Sequence, residues 1–176
     1  MELKAVLLNC TLKKSPAPSH TQGLLDIVIG HLHDLGVETE VIRPVDYTIP
    51  FGVDSDLGDG DEWPQILDKI LAADILIMGM SIWFGVRSSV CQMVIERLDG
   101  TYNMTNDVGQ YPMYNKVAGV VGSGEFLFPT EVLGAGSAPA TARAGAGGAL
   151  VMFGDRAIAQ ELLVTCPPLL EVFAGM

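Results

Sequence analysis

Between Asn9 and Thr21 the chain sets hydroxyls at Thr11, Ser15, Ser19 and Thr21, ammonium groups at Lys13 and Lys14, and an imidazole at His20. An apolar run, Ala5 to Leu8, comes just before, and an amphipathic pattern begins near Thr21. A strand, a loop of hydroxyl and cationic side chains, and a helix start together make a place for an anion. The first N–H groups of a helix have no intrahelical acceptor, and the helix dipole adds partial positive charge there. Hydroxyls, lysines and backbone amides suit a dianionic phosphate. The stretch has no Gly-x-x-x-x-Gly-Lys-Ser/Thr, which argues against a nucleotide triphosphatase loop, and no Gly-x-Gly-x-x-Gly, which argues against a tightly held dinucleotide. The plain alternative is an ordinary strand-to-helix connection.

A second constellation follows the apolar run Ile75 to Met80. Ser81-Ile82-Trp83-Phe84-Gly85-Val86-Arg87-Ser88-Ser89 puts two aromatic rings where a flat ring system can stack or pack, and Ser88 or Ser89 can cap the helix that follows. Core or lid aromatics are the bland reading of Trp83 and Phe84, and Arg87 either meets a negative ligand or pairs with a surface acid. A third loop opens at Gly122-Ser123-Gly124-Glu125 after Val117 to Val121.

The elements that position these loops follow from apolar periodicity. Leu3 to Leu8 reads as a buried strand. Ser19 with Gln22 has capping-box spacing, and Leu24, Leu25, Val28, Ile29, Leu32 and Leu35 repeat at helical spacing until Gly36. Val37 to Val45 alternates as a half-exposed strand. Tyr47 to Gly60 is a loop whose aspartates, Asp54, Asp56 and Asp59 with Asp61 beyond, lack the glycine and glutamate of a calcium loop and read as solvated acids. A helix from about Glu62, with Pro64 in its first turn, carries Ile66, Leu67, Ile70 and Leu71. Val90, Met93, Val94 and Leu98 make the stripe of the next, and Thr101 to Asn115 is an exposed connection before the fourth strand. Strand and helix alternate throughout, which requires parallel strands with right-handed crossovers. The fold class is α/β, a doubly wound parallel sheet in three layers (α/β/α), with ligands held at the carboxyl ends of the strands. The loops after strands one, three and four converge there.

The 176 residues are 49% hydrophobic and 18% charged, as expected of one α/β domain with a buried sheet. A net charge of −11 argues against nucleic acid as a partner. Cys10, Cys91 and Cys166 are far apart, with no metal-ligand or disulfide spacing. No run is long enough to span a membrane, and no signal-like segment precedes the first strand, so the expected location is cytoplasmic.

The first 121 residues or so resemble the flavodoxin-like NAD(P)H-dependent FMN reductase family. The first loop, ending Ser19-His20-Thr21, is similar to that family's phosphate loop, with His20 where asparagine is usual. Ser81-Ile82-Trp83-Phe84-Gly85 is similar to its ring-contacting loop, with Ser81 where proline is usual. The resemblance implies FMN as cofactor and NAD(P)H as co-substrate. Thr11, Ser19 and Thr21 would hold the phosphate, with Lys13 and His20 beside it. Ile82, Trp83, Phe84 and Gly85 would border the ring next to Ser81, with Gly122 and Ser123 in the third loop. A small-molecule electron acceptor such as a quinone or free flavin would complete the reaction. No residue is nominated as catalytic.

After Gly124 the sequence changes character. Residues 134–149 are almost all glycine, alanine and other small residues without an apolar stripe, and the expectation for 125–176 is an atypical, flexible tail. Ala157 to Val164 reads as a short helix or strand. One account of the tail is a reading frame shifted relative to the family. The sheet would then lack its fifth strand, and the uncovered edge would invite a homo-oligomer. Two other functions stand beside the reductase: a flavodoxin-type electron carrier, and a remnant that holds no flavin.

Overall fold

The computed structural model describes residues 3–83, 86–123, 141–145 and 148–154. Its elements run β1 (Lys4–Cys10), α1 (His20–Asp34), β2 (Glu38–Ile42), α2 (Trp63–Ala72), β3 (Ile75–Trp83), β4 (Val86–Arg87), α3 (Ser89–Asp99), β5 (Val117–Ser123), β6 (Thr141–Gly145) and β7 (Gly148–Gly154). They build one sheet in the order β2-β1-β3-β5-β7-β6, with the two-residue β4 paired back on β3. The first four strands in that order are parallel, as the alternation requires.

Successive side chains of a strand point to opposite faces, so a continuously apolar strand feeds two cores. Val6, Leu8 and Cys10 of β1 pack with α2 and α3, through Trp63, Ile66, Ile70, Cys91 and Val94. Ala5 and Leu7 pack with Leu25, Val28 and Leu32 of α1 on the other face. This is the expected three-layer arrangement. Each fully buried leucine or isoleucine contributes about 1.5–3 kcal/mol. Gly36, at φ +74°, ends α1 in the left-handed conformation that glycine adopts without strain.

Four expectations need correction. The second strand is shorter than Val37 to Val45, because Pro44 lacks the N–H a ladder needs and opens a 3₁₀ turn, Pro44–Asp46. Ser81, Ile82 and Trp83 are strand rather than loop: β3 continues past Met80, with Ser81 opposite Ser123, and the hairpin to β4 sets Ile82 opposite Arg87. Asp61 is not solvated, since its side chain is fully buried against Arg97. Thr141–Gly145 and Gly148–Gly154 fall in the stretch expected to be flexible, yet they are strands. β7 runs antiparallel along β5 from Val117↔Gly154 to Gly122↔Ala149, so that edge is paired and not open. Small residues do not prevent this, because ladder hydrogen bonds come from the backbone. The readings of Phe84, Gly85, Gly124, Glu125 and Ala157 to Val164 lie outside the described residues.

Candidate functional site

Register brings the carboxyl ends of three strands together: Cys10 pairs with Met80, Met80 with Gly122, and Ser81 with Ser123. The loop after β1 therefore begins one strand away from the hairpin that ends β3. α1 starts above it, capped by Ser19, whose Oγ accepts from the N–H of Gln22 at 3.3 Å. The capping box is only half made. Gln22 Oε1 accepts from Asn9 Nδ2 at 2.8 Å, and its Nε2 donates to Asp26. The first turn of α1 has no acidic residue of its own to offset the N–H groups left over by the helix start.

The predicted residues separate into two sets. Lys13 and His20 are exposed and Ser19 is half-buried, whereas Thr11 and Thr21 are buried. Thr11 Oγ1 accepts from the N–H of Lys13 at 3.4 Å, which turns the loop back on itself. Lys13 Nζ reaches the carbonyl of Pro18. Thr21 directs its hydroxyl inward to Ser123 Oγ at 3.1 Å, and Ser123 Oγ donates to the Met80 carbonyl at 3.3 Å. A hydroxyl has one proton, so Thr21 is the donor in the first of these bonds. This chain of hydroxyls joins the start of α1 to the ends of β5 and β3. In this arrangement the Thr21 side chain locks the sheet edge.

On the other side, Ile82 is buried and Trp83 is 59% exposed, with Nε1 donating to Ser81 Oγ at 3.1 Å. That bond fixes the indole plane while leaving a large aromatic surface free at the edge. Gly122 is buried and Ser123 half-buried between the two loops.

Several residues escaped sequence reasoning. Asn9, fully buried, accepts from the N–H of Thr11 and from Ser19 Oγ, so it ties both ends of the first loop. The signal was available: an asparagine ending an apolar strand commonly caps the backbone two residues on. Arg43 donates to the carbonyls of Lys13 and Ala17, and Asp46 accepts from the N–H of Ser15 at 2.8 Å and from its hydroxyl at 2.6 Å. These partners lie some thirty residues away, and no local pattern announces them. The Ser15 hydroxyl, then its N–H, then the nearby Arg43 and Lys14 charges hold the Asp46 carboxyl below its usual value. Cys10 and Cys91 are buried neighbours. Cys10 Sγ donates to the Leu8 carbonyl at 3.8 Å, and the neighbouring Cys91 thiol, with burial, pushes the Cys10 thiol up.

A parallel sheet of this order, with three loops converging at its carboxyl edge, is the flavodoxin-like α/β fold. The chain belongs to the NADPH-dependent FMN reductase family, whose model matches residues 3–128. Over 130 residues it is 38% identical to the 8-demethyl-8-aminoriboflavin-5′-phosphate synthase of Streptomyces davaonensis, covering 69% of this chain and 51% of that protein. The crystal structure of RosB with the bound intermediate 8-demethyl-8-formylriboflavin-5′-phosphate superposes with a TM-score of 0.66 at 37% identity. It covers 74% of this chain and 55% of that one. A divalent metal cation transporter of Mycobacterium bovis, MntH, is 39% identical over 126 residues, which are 69% of this chain but 18% of the transporter. The chain thus spans about half the length of the first relative and of RosB. Among the described residues no helix is long and apolar enough to cross a membrane.

Proposed function

We propose that this chain binds FMN at the carboxyl edge of its sheet and passes reducing equivalents from NAD(P)H through the flavin to a small acceptor such as a quinone or free flavin. The observation that carries this reading is the joining of all three loops by the chain from Thr21 through Ser123 to Met80. The donor set fits the group. N–H groups at the start of α1, with Ser19, Lys13 and His20 on the open side, suit a 5′-phosphate, and the exposed face of Trp83 suits a flat ring. When bound, FMN supplies hydride acceptance and onward electron transfer. The protein's part is to place its two ends: the first loop holds the phosphate facing water, and Ser81 fixes the indole that borders the ring. Phe84 and Gly85 belong to the same reading.

A second reading draws on the relatives' names. Both the synthase and the RosB complex concern riboflavin 5′-phosphate derivatives, which supports a flavin phosphate as substrate in place of resident cofactor.

Titration of FMN against the purified chain, followed by flavin fluorescence, tests both. Quenching at micromolar protein supports a flavin 5′-phosphate ligand, and its absence removes both readings. Oxidation of NAD(P)H with a quinone supports the reductase, whereas a change in flavin mass supports the substrate reading. The phosphate assignment has a sharper test. Lys13→Ala with Ser19→Ala should weaken FMN about tenfold more than riboflavin, because hydrogen bonds to a charged group contribute roughly 1.5–3 kcal/mol. Equal loss for the two ligands would overturn it.

A further inference from the structure

Ser88 makes three bonds to three different parts of the edge. Its Oγ accepts from the N–H of Cys91 at 3.3 Å, which caps α3. The same Oγ donates to the carbonyl of Cys10 at 2.8 Å. Its own N–H donates to the carbonyl of Ser81 at 2.9 Å, closing the base of the β3–β4 hairpin. The residue is 2% exposed, so water competes for none of these bonds. Cys10 is the last residue of β1, immediately before Thr11 opens the first loop, and Ser81 is two residues before Trp83. One buried residue therefore spans the gap between the anion-suited loop and the aromatic hairpin, reaching the first through its hydroxyl and the second through its backbone N–H. A cap alone needs only the bond to Cys91, and the bond to Cys10 is additional.

We propose that Ser88 is a positioning residue that holds the two loops in register, so that a flavin phosphate meets its ring side and its phosphate side as one rigid edge. Two subsites on one rigid frame reinforce each other, because binding at one raises the effective concentration at the other. Subsites free to shift lose that advantage. The ligand arm of this inference rests on the flavin reading above, and the register arm does not.

The register arm is read without ligand, by amide hydrogen exchange on the full chain. Ser88→Ala removes the hydroxyl bond to Cys10 and keeps the backbone bond to Ser81, so it should speed exchange in residues 10–13 more than in 81–83. Ser88→Thr, which keeps the hydroxyl, should restore the wild-type rates. A change confined to the first turn of α3 would reduce Ser88 to a helix cap and overturn the proposal. In the ligand arm, FMN and riboflavin are titrated by fluorescence. The preference of the wild-type chain for FMN over riboflavin should shrink about tenfold in Ser88→Ala, the size expected for losing one buried hydrogen bond, and Ser88→Thr should recover it. Uniform weakening of both ligands, with the preference intact, counts against register. A wild-type chain that binds neither flavin sinks the flavin reading, and the exchange arm then decides on Ser88 by itself. Should Ser88→Ala fail to fold, Ser88→Cys, nearly isosteric and a weak donor, carries the same tests.

Discussion

The β1–α1 and β3–α3 units are built to one plan and held together in opposite ways. Each helix begins with a serine whose Oγ accepts the N–H three residues on, at 3.3 Å in both. Around Ser19 the loop lies in water, and its outer braces are charged: Arg43 on two carbonyls and Asp46 on Ser15. Around Ser88 the bonds are buried and neutral, and what reaches solvent is the indole of Trp83. The difference matches what the proposed function asks each loop to hold. Stripping a doubly charged phosphate of all its water is costly, so a loop that keeps it hydrated and adds donors is the better design. A flat ring needs a surface that does not move, and burial provides that. The first unit should therefore respond to charge and pH, the second to packing.

The largest test of that contrast lies at the far end of α3. Arg97 is fully buried, pairs with Asp61 at 2.5 Å, donates to the Pro50 carbonyl at 3.0 Å and lies over the Trp63 ring. Removing one partner of such a pair leaves a buried charge, so Arg97→Met should cost about 3–5 kcal/mol in urea unfolding. Asp61→Leu combined with Arg97→Met should recover most of that loss. Burial pushes the Asp61 carboxyl up, but the Arg97 guanidinium and the N–H groups of Trp63 and Leu57 together hold it below its ordinary value. Its contribution is therefore present above an unfolded value of about 3.9 and is lost as pH falls through the lower folded value. A cost under about 1 kcal/mol for Arg97→Met would mean that the pair is solvated and behaves as a surface bridge.

This pair also marks where sequence reading stopped. The parallel sheet, its helices and the two capped loops were legible because each rests on local periodicity: apolar runs for β1 and β3, helical stripes for α1 and α2, serine at a helix start. Asp61 read as one more acid in a loop, because its partner on α3 is thirty-six residues away and no local pattern connects them. Arg43 and Asp46 were missed for the same reason. Thr21 was legible as a site residue, but the direction of its hydroxyl, inward to Ser123, depends on strand order. The pairing of β7 with β5 was invisible because a glycine- and alanine-rich stretch carries no side-chain pattern for the ladder it joins.

A smaller effect is expected where the first unit leans on the second. α1 packs against β3 at Gly79, where an added Cβ would meet Leu25 Cδ1 at 2.8 Å and its Cγ at 2.9 Å. Gly79 pairs in register with Asn9, so the close approach sits directly beneath the first loop. Gly79→Val should cost about 1–3 kcal/mol by overpacking. Because it pushes α1 away from the sheet edge, it should also weaken FMN more than riboflavin. Gly79→Val together with Leu25→Ala should restore part of both. Full stability in the single variant would show that α1 can shift without loss, and the first loop would then not depend on the sheet for its position.

The smallest effect tests the charged brace itself. The Ser15 hydroxyl contributes most to holding the Asp46 carboxyl low, its N–H next, while the two cations add less. A chemical-shift titration of Asp46 should thus give a midpoint below the ordinary value of about 3.9. Ser15→Ala removes the leading donor and keeps the N–H, so the midpoint should rise part of the way back. Raised salt should move it much less, since hydrogen bonds outrank the screened charges on an exposed group. As pH falls through the midpoint, the loop loses this brace while the buried bonds of Ser88 stay in place. Acid should therefore speed exchange in residues 11–17 before residues 81–83. If both segments loosen together, the two units are one mechanical body, and the division between a charged loop and a buried one does not hold.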